Sequence, residues 1–205
     1  MDKKANVAVL ASGGGSNAEE IFKYFRNHPH VEITLTMTNN QQAGVIERAR
    51  KFDIPVVVFT KAEFNEPDKV MSCLSERAVT HIVLAGFLLL IPRYLIRAFP
   101  GKIINIHPAL LPKYGGKGMY GEKVHMAVKQ AGDSCTGMTI HLVNENYDEG
   151  KVLFQAKCDI GNEDTPLEIA RKVLKLEHEF YPRVIEQWIL NKLPAPGHPN
   201  SIGAI

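Results

Sequence analysis

NVAVLASGGGSNA, residues 6–18, decides the fold. An apolar run (NVAVLA, 6–11) stops at three glycines and gives way to Ser16-Asn17, the opening of an amphipathic segment reaching about Asn27. A short apolar run bounded by glycine reads as a buried strand, and the segment after it as a helix. Strand, tight turn and helix in that order are the first unit of a parallel α/β sheet. The pattern repeats along the chain. VEITLTMT (31–38) is the next strand, followed by a helix of the AGVIERARKF type. IPVVVF (54–59) precedes a helix through EPDKVMSCLSERAV, and HIVLAG (81–86) precedes a short helix, IPRYLIRAF, with Pro92 near its first turn. KIINIH (102–107) is the fifth strand.

After residue 112 the texture changes. KYGGKGMYGEK reads as a loop and KVHMAVKQAG as a helix. TGMTIHLV (136–143) and KVLFQAKCDI (151–160) are joined by the acidic turn NENYDEG, an antiparallel excursion at a sheet edge. A long helix starts with Thr165 as N-cap and Pro166 as first helical residue, and runs to about Asn191. The predicted fold is α/β: a Rossmann-like, open, mainly parallel twisted sheet flanked by helices, with antiparallel edge elements in the C-terminal half. Residues 1–205 read as one domain, with halves at 1–100 and 101–190 and a turn-rich tail at 191–205.

Composition narrows the function. A formal net charge of +2 is too small to indicate nucleic acid or an anionic membrane as partner, though it suits a small anionic substrate. Cys73, Cys135 and Cys158 are far apart, odd in number and never in CxxC spacing, which argues against a disulfide framework or a cysteine zinc site. No apolar run approaches about 18 residues, so neither a membrane span nor a signal peptide is predicted. The expectation is a cytoplasmic, reducing-compartment protein; monomer and homodimer stay equally open.

Gly13, Gly15 and Ala18 fit a GxGxxA dinucleotide pattern. That reading needs an acid about 20 residues on to hold a ribose hydroxyl. The second strand ends instead in Asn39 and Asn40, which disfavours NAD. Two readings remain: a phosphate site built from backbone N–H groups at the helix start, with Ser16 and Asn17 as added donors, or a tight turn in which Ser16 or Asn17 caps the helix.

In KIINIHPALLPKYGG (102–116), Asn105 and His107 interrupt an apolar strand and, two apart, share one face. Pro108 keeps the preceding residue extended, so the pair sits at the carboxyl end of the fifth strand, where open α/β sheets bind ligands. An amide donor beside an imidazole suits stabilisation of an oxyanion together with proton transfer, and no serine or cysteine elbow accompanies them. Direct attack of one substrate on another's carbonyl is therefore the economical chemistry; a hydrogen-bonded structural histidine is the competing reading. Asp148 in NENYDEG is a partner for the imidazole or a solvated loop acid. His141 reads as a packed strand residue. His107, His141 and Asp148 match no metal motif, and no metal is expected.

SGGGSN, LAGFLLLIP, INIHPALLPKY, GMTIHLVNENYDEG and LEHEFYP, in this order and spacing, resemble the folate-dependent formyltransferases, and among them the phosphoribosylglycinamide formyltransferases. The likeness runs from about Asn6 to Trp188. It implies formyl transfer from 10-formyltetrahydrofolate, a co-substrate, to the amine of glycinamide ribonucleotide in purine biosynthesis. Carried onto this chain it makes Asn105, His107 and Asp148 catalytic: Asn105 holds the formyl oxygen, His107 donates a proton, and Asp148 raises the His107 pKa. It assigns Gly15, Ser16 and Asn17 to the ribonucleotide phosphate and Glu177 to the ribonucleotide; taken alone, Glu177 reads as a solvated helix carboxylate. It lays the folate against Leu88, Leu89, Leu90 and Ile91, with Asn105, Val143 and Asp148 as further contacts; taken alone, Leu88–Ile91 read as core. Departures from the family pattern fall at Leu88-Leu89 (often Met-Arg), at Pro67 (an arginine for the folate tail), at Leu174 (a glutamine) and in the longer 114–125 loop. Relatives that deformylate the folate or formylate methionyl-tRNA are disfavoured, since they carry an added domain and, in the deformylases, His-His after the asparagine. A non-catalytic nucleotide- or folate-binding module is the remaining alternative.

Overall fold

A computed structural model describes residues 4–193 and the backbone of 202–203. The chain is an α/β protein, a mainly parallel sheet flanked by helices with antiparallel strands in its C-terminal half. It divides into two compact units, Met1–Ile104 and Asn105–Ile205.

The first unit holds β1 (Ala5–Leu10), α1 (Ser16–Phe25), β2 (Val31–Thr38), α2 (Val45–Arg50), β3 (Val56–Val58), α3 (Lys61–Phe64), α4 (Pro67–Glu76), β4 (His81–Leu84) and α5 (Arg93–Ala98). Strands β3, β2, β1 and β4 lie side by side in that order, all parallel. The order reverses at β1, which has β2 on one flank and β4 on the other. Such a switch point opens a crevice at the carboxyl strand ends. Val7, Ala8, Val9 and Leu10 are buried, as a strand covered on both faces requires. α1 turns Ala18, Ile21, Phe22 and Phe25 inward at helical spacing.

Pro92, read as near the first turn of α5, is its N-cap. One local feature differs from the sequence reading. The helix α3 was not anticipated: Thr60 and Glu63 form a capping box, and the single turn brings Phe64 onto Phe59 and Phe87, with ring centroids 4.6 and 5.2 Å away. Burying a phenylalanine contributes about 1.5–3 kcal/mol, enough to hold one turn of helix that propensity alone would not.

β5 (Ile103–His107) crosses the division between the units. The second unit continues with α6 (Glu122–Ala131), β6 (Cys135–Leu142), β7 (Val152–Asp159), α7 (Pro166–Ile189) and β8 (Ile202–Gly203). β6 and β7 pair antiparallel, as the acidic turn between them implied, with a register shift between Ile140 and His141. α7 begins as expected: Thr165 and Glu168 form a capping box and Pro166 is the first helical residue. The helix then passes Pro182, buried within it, which removes one main-chain donor. Val128, Ile160 and Ile169 form a small cluster against which Tyr114 packs. Among the described residues, no helix is long and apolar enough to cross a membrane. Within the expected tail, residues 194–201 and 204–205 lie outside the described residues.

Candidate active site

His107 is 3% exposed at the end of β5. Its Nε2 lies 2.8 Å from the Tyr114 carbonyl oxygen, which can only accept, so Nε2 carries a hydrogen. Nδ1 of the same ring lies 3.4 Å from Asp148 Oδ2. With Nε2 protonated, a neutral ring would aim its lone pair at a carboxylate; the contact is favourable once Nδ1 also carries a proton. Burial opposes that charge and pulls His107 below the ordinary imidazole value, while Asp148 and the Tyr114 carbonyl push it up and His141 depresses it further. Asp148 thus acts in the anticipated direction, but burial outweighs it.

Asp148 sits in the loop between β6 and β7 with φ 57°, a left-handed conformation that aspartate tolerates better than most residues. Its Oδ2 accepts from the Gly116 N–H at 3.0 Å, and its Oδ1 lies 3.5 Å from His141 Nε2. Burial alone would lift this carboxyl, but His141, His107 and the Gly116 amide hold it below its usual value. It is a held acid, not a solvated one.

Two neighbours on β6 also matter: His141, read as a packed strand residue and indeed buried, and Thr139, which the sequence left unassigned. His141 Nδ1 donates to the Leu142 carbonyl at 2.9 Å, and its Nε2 lies between Asn105 Nδ2 at 3.2 Å and Asp148 Oδ1 at 3.5 Å. His141 therefore ties the Asn105 amide and the Asp148 carboxylate to one ring. The register shift just before His141 is the kind of irregularity that re-aims a side chain beside a site. Thr139 is fully buried; its hydroxyl donates to the Ala109 carbonyl (2.7 Å) and accepts from Leu111 N–H (3.0 Å) and Gln155 Nε2 (2.9 Å). It pins the segment directly after His107. The available signal was alternation, since Thr139 and His141 are two apart on one strand.

In the first unit the glycine turn follows β1. Gly15 is the N-cap of α1, in the left-handed region with φ 75° and without a side-chain cap bond, so Ser16 and Asn17 lie in the first helical turn and neither caps it. Asn39, where a dinucleotide site would want an acid, accepts from the Ser12 hydroxyl at 2.6 Å, and Ser12 Oγ accepts from Leu88 N–H at 3.0 Å. Leu88 and Leu90 are 49% and 44% exposed, while Ile91 is buried and Leu89 half-buried. The core reading of this run holds for Ile91 and fails for Leu88 and Leu90, because β4 ends at Leu84 and they lie in the loop beyond it.

Elsewhere in the second unit, Glu177 is 7% exposed on α7, which overturns its reading as a solvated carboxylate. Leu174, one turn earlier, and Val143, just past β6, are half-buried. In the 114–125 loop, the Tyr114 hydroxyl donates to Asp133 at 2.8 Å, Lys117 is exposed, and Lys123 Nζ lies 5.0 Å from the centre of the Tyr120 ring. In the first unit, exposed Pro67 opens α4. Among the described residues, no group of three or more His, Cys, Asp or Glu is placed to hold a metal.

The class of chemistry, group transfer, comes from the family: the chain belongs to the formyl transferase family, whose model matches residues 5–185. It is 43% identical over 189 residues to the chloroplastic phosphoribosylglycinamide formyltransferase of Arabidopsis thaliana, an alignment covering 89% of this chain and 65% of that protein. It is 37% identical to the phosphoribosylglycinamide formyltransferase of Bacillus subtilis, covering 88% and 92%. Among solved structures, the phosphoribosylglycinamide formyltransferase of Anaplasma phagocytophilum superposes with a TM-score of 0.89 at 29% identity, covering 99% of each chain.

Proposed function

We propose that this chain transfers the formyl group of 10-formyltetrahydrofolate to the amine of glycinamide ribonucleotide, a step of de novo purine biosynthesis. The observation that carries this reading is the buried His107–Asp148 pair beside an Asn105 amide held by His141, in a chain matched along 5–185 by the formyl transferase family. The relatives named above bear that activity in their names.

In the proposed reaction the ribonucleotide amine attacks the formyl carbon directly. A carbon–nitrogen bond forms, the carbonyl oxygen gains negative charge, and the bond to the folate nitrogen then breaks. The Asn105 amide and the His107 imidazolium stabilise the oxyanion; donors fixed in a dry site need little reorganisation as the charge develops. With its Nε2–H turned from the Tyr114 carbonyl to the substrate, His107 passes a proton to the departing folate nitrogen and takes back the one lost by the attacking amine, while Asp148 offsets part of the cost that burial sets on the charged ring. The backbone at Gly15, Ser16 and Asn17 holds the ribonucleotide phosphate and Glu177 contacts the ribonucleotide. The first half of the chain is thus the phosphate-binding half, and the second catalytic and folate-binding. In the first unit Leu88 and Leu90 offer exposed apolar surface suited to a pterin ring, with Leu89 and Ile91 beside them; in the second, Asn105, Val143 and Asp148 are the residues assigned to the folate. The substrates are small molecules; nucleic acid and metal have no part. The free thiols Cys73, Cys135 and Cys158 support a reducing compartment, the cytoplasm.

The test is formyl transfer by the purified protein, with methionyl-tRNA and water as competing acceptors. Turnover that requires both the folate and glycinamide ribonucleotide is expected. A folded protein that turns over neither, or prefers a competing acceptor, overturns the reading.

A further inference from the structure

We infer that Arg48 is a positioning residue for anion binding: it clamps the glycine turn so that the turn's amides, not its carbonyls, meet the ribonucleotide phosphate. This rests on the proposed phosphate role of Gly15–Asn17, and it adds a residue that lies some 30 positions away in sequence and belongs to another helix.

Every carbonyl of the Gly13–Gly15 turn is engaged. Gly13 O accepts from Val45 N–H at 3.2 Å, Gly14 O from Arg48 Nε at 2.8 Å, and Gly15 O from Glu19 N–H at 2.9 Å. In a trans peptide the C=O and the following N–H point in opposite directions. Drawing Gly14 O towards α2 therefore turns Gly15 N–H away from α2, and drawing Gly13 O does the same for Gly14 N–H. Among the described residues, no backbone carbonyl accepts from the N–H of Gly13, Gly14, Gly15 or Ser16. A run of such amides ahead of a helix is an anion nest.

The clamp matters because glycine peptides reorient at little steric cost. A flipped Gly14–Gly15 peptide would present a carbonyl oxygen to a phosphate. Of the two backbone bonds on the turn, neither holds Gly14 O; among the described residues, only Arg48 does. Its Nη1 also pairs with Glu19 on α1, so one guanidinium joins turn, α1 and α2. The packing is close enough to need two glycines: a Cβ on Gly15 would lie 2.7 Å from Val45 Cβ, and one on Gly44 would lie 3.0 Å from Gly14 O. Arg48 is only a third exposed, with Glu19 more covered still, so the pair is held against the turn rather than waving in solvent.

The test compares Arg48→Met, Arg48→Lys and Glu19→Gln with the parent, reading KM for each substrate, kcat, the melting temperature, and the affinity for inorganic phosphate by phosphorus NMR. Arg48→Met should raise KM for the ribonucleotide and weaken phosphate binding in parallel by roughly tenfold, with kcat and the folate KM moving by less than about twofold. Arg48→Lys, which keeps one donor for Gly14 O, should recover part of the loss; if Arg48→Met does not fold, Arg48→Lys carries the test with an expected rise of about threefold. Glu19→Gln should have the smallest effect. Unchanged phosphate affinity in Arg48→Met overturns the clamp, and so does an equal loss in both substrates with a lower melting temperature, which would make Arg48 a fold residue only. A parent that binds phosphate but transfers no formyl group sinks the functional reading and leaves the clamp standing or falling on the phosphate measurement.

Discussion

Replacing Thr139 by valine keeps the shape of a fully buried side chain and deletes one oxygen. That oxygen serves the Ala109 carbonyl, the Leu111 N–H and Gln155 Nε2. Gln155 loses least, because its amide also donates to the Leu111 carbonyl at 3.0 Å. The two backbone groups are stranded beside buried side chains, and each buried orphan costs about 1–3 kcal/mol. The extra methyl returns under about 1 kcal/mol. The net expectation is a loss of about 1–5 kcal/mol, a large share of the roughly 5–15 kcal/mol that holds a domain together. Urea unfolding should show it as a midpoint about 0.5–2.5 M lower at unchanged slope, taking a slope near 2 kcal/mol per M. Thr139→Ser, which keeps the hydroxyl, should lose under half as much. Because the stranded groups directly follow His107, turnover should fall under conditions where the variant is still folded. A midpoint shift below about 0.3 M, with turnover intact, would refute the reasoning.

Asp148→Asn removes the one carboxylate raising the His107 pKa, so the imidazolium should vanish at lower pH and the optimum of kcat/KM should move to the acid side, with neutral turnover down by about a hundredfold or more; an unmoved profile counts against the pair. His107→Ala should depress turnover strongly while calorimetry shows glycinamide ribonucleotide still bound; loss of the fold instead would mark His107 as structural. His107, His125 and His81 all have imidazoles pulled down by burial, His81 to about 4 with help from Lys102. Each folded-state pKa lies below its unfolded value, so the unfolded chain binds more protons, and the stability present above about pH 6.5 should be lost as pH falls towards 4. Urea midpoints at pH 7.5 and 5 check this, and equal values would contradict it.

The alternation of strand and helix was legible because each strand buried on both faces is a continuous apolar run, and because Thr165-Pro166 and the triple glycine are strong local punctuation. The pair Asn105 and His107 was legible from a period of two. What escaped the sequence depends on partners distant along the chain. α3 exists because Phe64 finds Phe59 and Phe87. Leu88 and Leu90 look like core by composition, yet they are exposed because the strand ends sooner than its apolar run. The orienting work of His141 and Thr139 appears only when β6 lies beside β5 and the following segment. Glu177 is buried through its place on α7, which spacing alone did not reveal. Arg48 looks like any surface arginine in ERAR until α2 is laid against the glycine turn.

The left-handed backbone at Asp148 has a consequence for which sequences this loop accepts. Glycine and asparagine suit the dihedral angle but bring no charge to His107. Glutamate brings the charge but fits the backbone less well and reaches one methylene too far. Aspartate alone meets both demands, so the position is constrained twice over by independent physics. Library selection for function at residue 148 should return aspartate almost exclusively, whereas selection for folding alone should drift towards asparagine and glycine.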